Sequence, residues 1–546
     1  MKNLLKLMLT ISLAVCIFAI AVSAETVDGK CGKNASWSLD TETGAFTVSG
    51  NGEMENYVPR STPWNSYLKH IKSLTIANGI TNLGDWSFAF CEELIDINIP
   101  SSVSVIGDDA FVGCTKLASI TVPNGVTSIG DGVFAGCEAL TSITIPDSVI
   151  SIGESAFDGC AKLMNTVDGM VYYKTADNPY FYLAYPTDRY IKSCTVNENT
   201  KFIAAKAFYL NNSLTEVKLP VGTVGIGYKA FSDCTSLVSI AIPNTLKSIG
   251  DEAFYKCQRL TSVAIPTGVT NIGDRTFYNC EKLTSVPLPV GITNIGKEAF
   301  ACSGITYVGI PDSVTNIGES AFYGCMELTS LTIQNGVKTI GKYAFWNCTK
   351  ITNVSVPSSV TSIGKWAFYG CSSLTEATVH SSVATFDSDV FKNTHKDLVI
   401  HGYKSSTTES YALANKHSFV TLSDNRIIMT IDSTNALVSG NSVTTDVPPI
   451  IENNRTMLPA RFVAEALGAT VSWDAPTRTA TIEGNGVTVK ITVDSTIAYV
   501  NGEKVTLDAP AFIRDNRTYT PVRFIAEALG ATVEWDAAKR QAIFTK

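Results

Sequence analysis

The chain has 546 residues, 45% of them apolar and 17% charged, and 50 acidic against 42 basic side chains give a net charge of -8. That length is too great for one ordinary core and predicts several domains or a repeat array. The composition excludes wholesale disorder, and the lack of a basic surplus excludes a nucleic-acid footprint.

The first segment reads as an export signal over 1–24. Lys2 and Lys6 precede an apolar run from Leu9 to Ala21, and Val22-Ser23-Ala24 supplies small residues before Glu25. Val15 is too bulky ahead of Cys16 for a lipoprotein signal, and the apolar run continues past it. No second apolar stretch reaches the roughly 18 residues of a spanning helix. The expectation is a secreted, extracellular, cell-surface-associated chain with no transmembrane helix.

A period follows. Phenylalanine stands at Phe88, Phe111, Phe134 and Phe157, at Phe208, Phe231, Phe254, Phe277 and Phe300, and at Phe322, Phe345, Phe368 and Phe391. The steps are 23 residues except for one of 51 and one of 22. A fixed period of this length predicts a solenoid of stacked coils. Within one coil, LTSITI predicts a short strand with Ile143 and Ile145 inward and Ser142 and Thr144 outward. Pro146 ends it, Val149 and Ile152 return to the core, and Gly153 permits a sharp turn. Ala156, Phe157 and Cys160 then face inward from about one short helical turn. One coil cannot bury these residues alone, so stacking at roughly 25 cal/mol per Å2 of apolar area holds the array. Thirteen coils at about 4.8 Å each predict a rod of about 60 Å.

Thirteen cysteines lie beyond residue 24, and most keep the period: Cys91, Cys114, Cys137 and Cys160; Cys234, Cys257 and Cys280; Cys302, Cys325, Cys348 and Cys371. Side chains at one coil position point the same way, which suits the disulfide dihedral badly. The expectation is a ladder of buried free thiols acting as small hydrophobes. No CxxC pair or neighbouring histidines suggest a metal, and no cofactor is expected.

The unit IGDGVFAGCEALTSITIP resembles the BspA-type leucine-rich repeat of bacterial surface proteins. The resemblance implies an α/β fold: a leucine-rich-repeat solenoid of short parallel strands and short helical turns over 71–396. Its opening, CGKNASWSLDTETGAFTVSGNGEM, is similar to the β-rich cap before such arrays, giving a cap over 25–70. DLVIHGYKSSTTESYALANKHSFVTL is similar to their closing strand-plus-helix cap, over 397–422. The family is associated with surface adhesion, which implies partners among host matrix or cell-surface proteins, glycans or neighbouring cells.

Two departures from the repeat are candidate binding sites. An irregular island over 165–200 fills the long step and crowds Tyr172, Tyr173, Tyr180, Phe181, Tyr182, Tyr185 and Tyr190 together, with a hairpin expected around Asp177-Asn178-Pro179. It reads either as packing against adjacent coils or as a projecting aromatic patch that grips a protein or sugar. On the patch reading, substituting Tyr180, Phe181 and Tyr182 leaves the fold intact. Tyr323, Trp346 and Tyr369 follow the marker phenylalanine on three successive coils, with Tyr343 and Trp366 nearby. They read as a shield over the turns or as a ligand platform on the outer edge. The strand face is a Ser/Thr surface (Ser119, Thr121, Ser142, Thr144, Ser330, Thr332, Asn353, Ser355). His380, His395, His401 and His417 lie near the terminal cap in no metal-binding spacing.

After about Leu422 a different duplication begins: NNRTMLPARFVAEALGATVSWDAPTRTATI matches DNRTYTPVRFIAEALGATVEWDAAKRQAIF at an offset of 62. Each half predicts a strand, a helix starting at Pro459 or Pro521 and ending at Gly468 or Gly530, and two strands. Phe462, Val463, Ala466 and Leu467 form the apolar helix face, with Trp473 and Trp535 packing there. Arg455 with Glu465, and Arg517 with Glu527, are candidate ion pairs. These halves resemble the stalk-type domain named for the N-terminal region of copper amine oxidases, here a small duplicated α+β domain over 426–546. Copper chemistry needs imidazoles, and no histidine follows His417. The resemblance therefore implies non-catalytic attachment to the cell wall, or a spacer. No nucleophile motif, HExxH or phosphate loop appears, so no enzyme is expected. The first functional reading is a binding protein. The second is a spacer or matrix component without a ligand, and the third a glycan-acting enzyme with unrecognised carboxylates.

Overall fold

The computed structural model describes residues 25–546 apart from 381, 388, 423–424, 439–440 and 453–454. The export signal lies outside the described residues, as do Asn453 and Asn454 of the first half-motif. Two compact units are present, one running to Ala377 with Ser382–Leu398, the other Thr378–Ser381 with Val399–Lys546.

In the first unit most coils supply two short strands that pair in parallel with their counterparts on the next coil; at Ser262 and Ser285 the first strand shrinks to a single bridge. Ser142–Thr144 pairs with Ser119–Thr121, and Ser151–Ile152 with Ser128–Ile129, residue for residue along the period. Leu140, Ile143, Val149, Ile152, Ala156, Phe157 and Cys160 are all buried. Every marker phenylalanine is buried. Within each block their rings stack on one another at 5.1 to 6.1 Å with planes within 14°. Trp64 stacks on Phe88 at 5.7 Å and so starts the column, beneath the antiparallel strands Thr26–Lys30, Ala35–Asp40 and Ala45–Gly50.

The segment expected as a short helical turn is a run of tight turns. Ala110, Val112 and Cys114 donate their N–H groups three residues back, while Asp109, Phe111 and Gly113 donate to Asp131, Val133 and Ala135 on the next coil. Left-handed backbone at Asp109 (φ 53°) and Gly113 (φ 72°) aims those alternate N–H groups along the stack. Every second amide is thus satisfied by the neighbouring coil, as a buried backbone requires. Gly153 serves a purpose other than the one expected. It has no positive φ; a Cβ there would stand 2.5 Å from the backbone N of Asp131 and the backbone C of Gly130. Glycine is required because consecutive coils touch there through their backbones.

The cysteines are free and the ladder is buried, but two corrections follow. First, the thiols are more than small hydrophobes. Cys114 Sγ donates to Phe88 O at 3.3 Å, Cys257 to Phe231 O at 3.1 Å and Cys371 to Phe345 O at 3.2 Å, each reaching the marker phenylalanine of the preceding coil. Second, Cys302 is off the ladder. The 22-residue step places Ser303 three residues after Phe300; Ser303 is buried, with Oγ 3.5 Å from Cys325 Sγ. Cys302 is half-buried with φ 56°. The ladder thus holds ten thiols: Cys91, Cys114, Cys137, Cys160, Cys234, Cys257, Cys280, Cys325, Cys348 and Cys371.

The array is not a straight rod. Ser248 Oγ donates to Ile150 O at 2.6 Å, and Lys206 pairs with Glu154. Straight stacking would hold those coils several spacings of about 4.8 Å apart, so the stack bends at the island. There the strand Ser151–Ile152 ends its sheet, and a meander of Met164–Val167, Met170–Tyr173 and Tyr182–Pro186 starts the next.

In the second unit, the strand Val399–Gly402 pairs in parallel with Ser418–Thr421 across the helix Thr407–Ala414, which Ser406 caps through its bond from Glu409 N at 3.2 Å. The rest is a pseudo-twofold domain. Leu458 pairs with Thr520 in the antiparallel ladder of Arg455–Pro459 and Arg517–Pro521, and these two positions are 62 residues apart, so the axis passes between them. The repeat is longer than the motif first read. Strands Arg426–Thr430, Asn435–Val438 and Asn441–Thr444 correspond to Val487–Thr492, Ile497–Val500 and Glu503–Thr506. Gln541–Thr545 from the end of the second half pairs with Arg426–Thr430 at the start of the first. Arg540–Asp432 and Arg478–Asp494 are the same ion pair made twice.

Candidate functional site

The outward surfaces of the array, a cleft within it and clefts in the second unit are where a partner has access, because the coil interiors are filled. On the strand face Ser119, Thr121, Thr144, Ser330, Thr332, Asn353 and Ser355 are exposed and Ser142 is half-buried, while Ile120, Val122, Ile143, Ile333, Val354 and Val356 are buried; Ile145, expected inward, is only half-buried. The alternation follows from the two-residue period of a strand.

The island packs more than it projects. Tyr172, Tyr173, Phe181 and Tyr182 are buried. Tyr173 and Tyr182 each lie 5.5 Å from Phe157, where they cover the last ring of the first phenylalanine block. These four rings are core, so replacing Phe181 and Tyr182 disturbs the fold, contrary to the patch expectation. Tyr180 is half-buried, edge-on to Tyr172 at 5.5 Å. Only Tyr185 (44% exposed) and Tyr190 (62%) face water. Within the bend, Asp108, Asp131, Glu154, Tyr182 and Tyr228 line a cleft of about 330 Å3. Its aspartates serve the stack: Asp108 Oδ1 accepts Asp131 N at 2.8 Å, and Asp131 Oδ1 accepts Glu154 N at 2.7 Å.

Tyr323, Trp346 and Tyr369 do form a column. Tyr323 and Trp346 stack at 4.5 Å and Trp346 and Tyr369 at 5.9 Å, with planes within 3°. All three are half-buried. Trp346 has both faces covered, so the column presents ring edges, not an open face on which a sugar stacks. Sequence reading missed that Tyr255 and Tyr278 occupy the same coil position and stack at 5.0 Å; their place one residue after Phe254 and Phe277 was the signal.

In the duplicated domain Val463, Ala464 and Leu467 are buried with Ile525, Ala526 and Leu529 in one shared core. Trp473 and Trp535 do not pack there: they are 40% and 43% exposed. Each sits near the end of its strand, beyond the half-buried Val471 or Val533 that meets the core. Arg517 pairs with Asp446, not Glu527: Nη2 lies 2.5 Å and Nε 2.7 Å from Asp446 Oδ2. The guanidinium holds the Asp446 carboxyl below the usual carboxylate range. Beside this pair lies a cleft of about 550 Å3 lined by Arg461, Phe462, Glu465, Trp473, Ile513 and Arg517 among others.

A stack of parallel-strand coils with a repeating Leu/Ile/Phe interior is a leucine-rich-repeat solenoid. Residues 66–166, 184–303 and 293–420 match the BspA type leucine rich repeat region, and the chain belongs to that family. Residues 408–475 and 437–544 match the copper amine oxidase N-terminal domain. The residues do not fit copper: none after His417 is histidine, and no group of three His, Cys, Asp or Glu among the described residues is placed to hold a metal. The chain is similar to the crystal structure of a leucine-rich repeat protein from Bacteroides ovatus, at 26% identity over 72% of this chain and 99% of that one, with a TM-score of 0.37. It is also similar to a leucine-rich repeat protein from Eubacterium ventriosum (22%, 66% and 97%, TM-score 0.30). A leucine rich cell surface protein from Faecalibacterium prausnitzii gives 20%, 70% and 97%, TM-score 0.28. No curated protein matches significantly. Among the described residues no helix is long and apolar enough to cross a membrane.

Proposed function

We propose that this chain is an exported bacterial cell-surface binding protein, adhesin-like and without catalysis. The array meets protein or glycan partners through its outer faces, and the C-terminal domain is an attachment or spacer at the cell envelope. One observation carries the reading: the coil interiors are sealed by stacked rings and neutral thiols, while several coils turn small polar side chains outward on the strand face, as at Ser119, Thr121, Ser142, Thr144, Ser330, Thr332, Asn353 and Ser355, interspersed with Glu216, Lys218, Tyr307 and Glu376. Such a surface accepts a broad macromolecular partner.

The test is capture of immobilised matrix proteins, glycans and whole cells by the full chain. Saturable binding is expected, with at least a tenfold loss when Ser119, Thr121, Ser142 and Thr144 are changed together to Lys. Absence of binding to every member of the panel overturns the reading and leaves the spacer in its place.

A further inference from the structure

The cleft in the duplicated domain combines an exposed indole with guanidiniums and carboxylates. One wall is the helix Ala460–Ala466 and the strand Thr470–Asp474 of the first half; the other is the turn joining Phe512–Arg514 to Arg517–Pro521 of the second. Trp473 contributes an indole that is 40% exposed, and Ile513 is 42% exposed. Large apolar groups left in water beside polar neighbours mark contact sites. Arg461 and Glu465 are exposed one helical turn apart, and neither makes a hydrogen bond or ion pair through its side chain among the described residues. Opposite charges at that spacing commonly pair; here they do not, and Arg461 instead lies within electrostatic reach of the Asp446 carboxylate. Arg517 is already fixed by Asp446.

The balance of groups selects a ligand class. Two guanidiniums stand against two carboxylates, so the cleft carries no net charge with which to capture a polyanion. Its rim is too polar for a purely apolar guest. A pyranose ring meets both conditions: its C–H face stacks on an indole, and its neighbouring hydroxyls both donate and accept. A guanidinium presents paired donors and a carboxylate paired acceptors. We propose that this cleft binds a pyranose unit of an envelope polysaccharide, with Trp473 as the stacking face and Arg461 and Glu465 as hydroxyl ligands. The inference rests on the reading of this domain as an envelope attachment and names what it holds. The duplication repeats the essential groups, since Arg523, Glu527 and the 43%-exposed Trp535 stand 62 residues further on. A polymer with a repeating sugar engages two such places with avidity.

The experiment uses the full chain in two assays. Soluble, peptide-free glycan strands released from isolated bacterial walls are titrated calorimetrically, and intact walls are pelleted with bound protein. In the titration the natural chain binds saturably. Trp473→Ala weakens binding at least tenfold, Trp473→Phe recovers part of it, and Arg461→Gln and Glu465→Gln each weaken it several-fold at an unchanged unfolding midpoint. Trp473→Ala with Trp535→Ala loses more than either alone. If Trp473→Ala binds the strands as the natural chain does, or the natural chain binds none, the cleft assignment is overturned, whatever the pelleting shows. Failure to pellet with walls overturns the attachment reading separately, and the titration still judges the cleft.

Discussion

Raising the pH from 8 to 10.5 is expected to unfold the repeat array. Burial pushes the thiols of Cys160, Cys325 and Cys371 up to about 12, and those of Cys91, Cys137, Cys234 and Cys280 further still. In the unfolded chain a thiol ionises near its ordinary value of 9.0. Below that pH both states keep the proton and the ladder's contribution is intact. Above it the unfolded chain loses protons that the folded chain retains, so stability falls until the pH passes the folded values. Each thiol then removes about 1.4 kcal/mol per pH unit. Ten such thiols remove on the order of 14 kcal/mol at one unit above 9, comparable with the whole stability of an ordinary domain. Circular dichroism against pH checks this. Replacing Cys234, Cys257 and Cys280 with Ala should make the alkaline loss shallower in proportion to the thiols removed. Stability that stays flat from pH 8.5 to 10 contradicts the neutral-ladder account.

Phe254→Ala should destabilise the array by about 3–5 kcal/mol. The ring is buried and stacked on Phe231 at 5.4 Å and on Phe277 at 5.5 Å, so its removal opens a void between two rings as well as losing its own transfer free energy. Tyr323→Ala removes a ring of similar size from the half-buried outer column. Its cost should stay below about 1.5 kcal/mol, the scale of one aromatic stack. Denaturant unfolding of the two variants ranks them; an equal or larger loss at Tyr323 would show that the outer column, not the inner one, carries the stack.

The architecture was legible because a coil has a simple rule: any residue type that recurs every 23 positions faces the same way on each coil. That rule located Phe88 through Phe391 and Ile143 in the core. It failed wherever the determining contact lies between coils. Gly153 was read as a turn residue, but its requirement comes from the backbone of the preceding coil. Cys302 looked periodic with Cys325, yet the shortened coil gives the rung to Ser303; counting from Phe300 instead of from the next cysteine reveals it. The island's tyrosines fit packing and patch readings alike, because local composition does not say that Phe157 needs a cover. In the C-terminal domain the helix and its glycine cap were plain, with Gly468 and Gly530 at φ of 84° and 85°. The early hairpin of each half was overlooked, although Asp432-Ser433-Thr434 recurs as Asp494-Ser495-Thr496. Trp473 was placed in the core on hydrophobicity alone; strand parity directs it to the helix side, but it stands past the core's end. Exposed tryptophan is the kind of feature a sequence rule misassigns where function outweighs burial.

The most direct test of the shared sealed spine is thiol mapping by mass spectrometry on the chain from Glu25 onward, alkylated without reductant. Denatured first, the chain should take up thirteen alkyl groups, one for each cysteine beyond residue 24. Alkylated in the folded state, it should label at the half-buried Cys302 and Cys194 and stay unmodified at the ten ladder positions. Recovery of disulfide-linked peptides between ladder cysteines such as Cys257 and Cys280, or their rapid labelling in the native protein, would contradict the account.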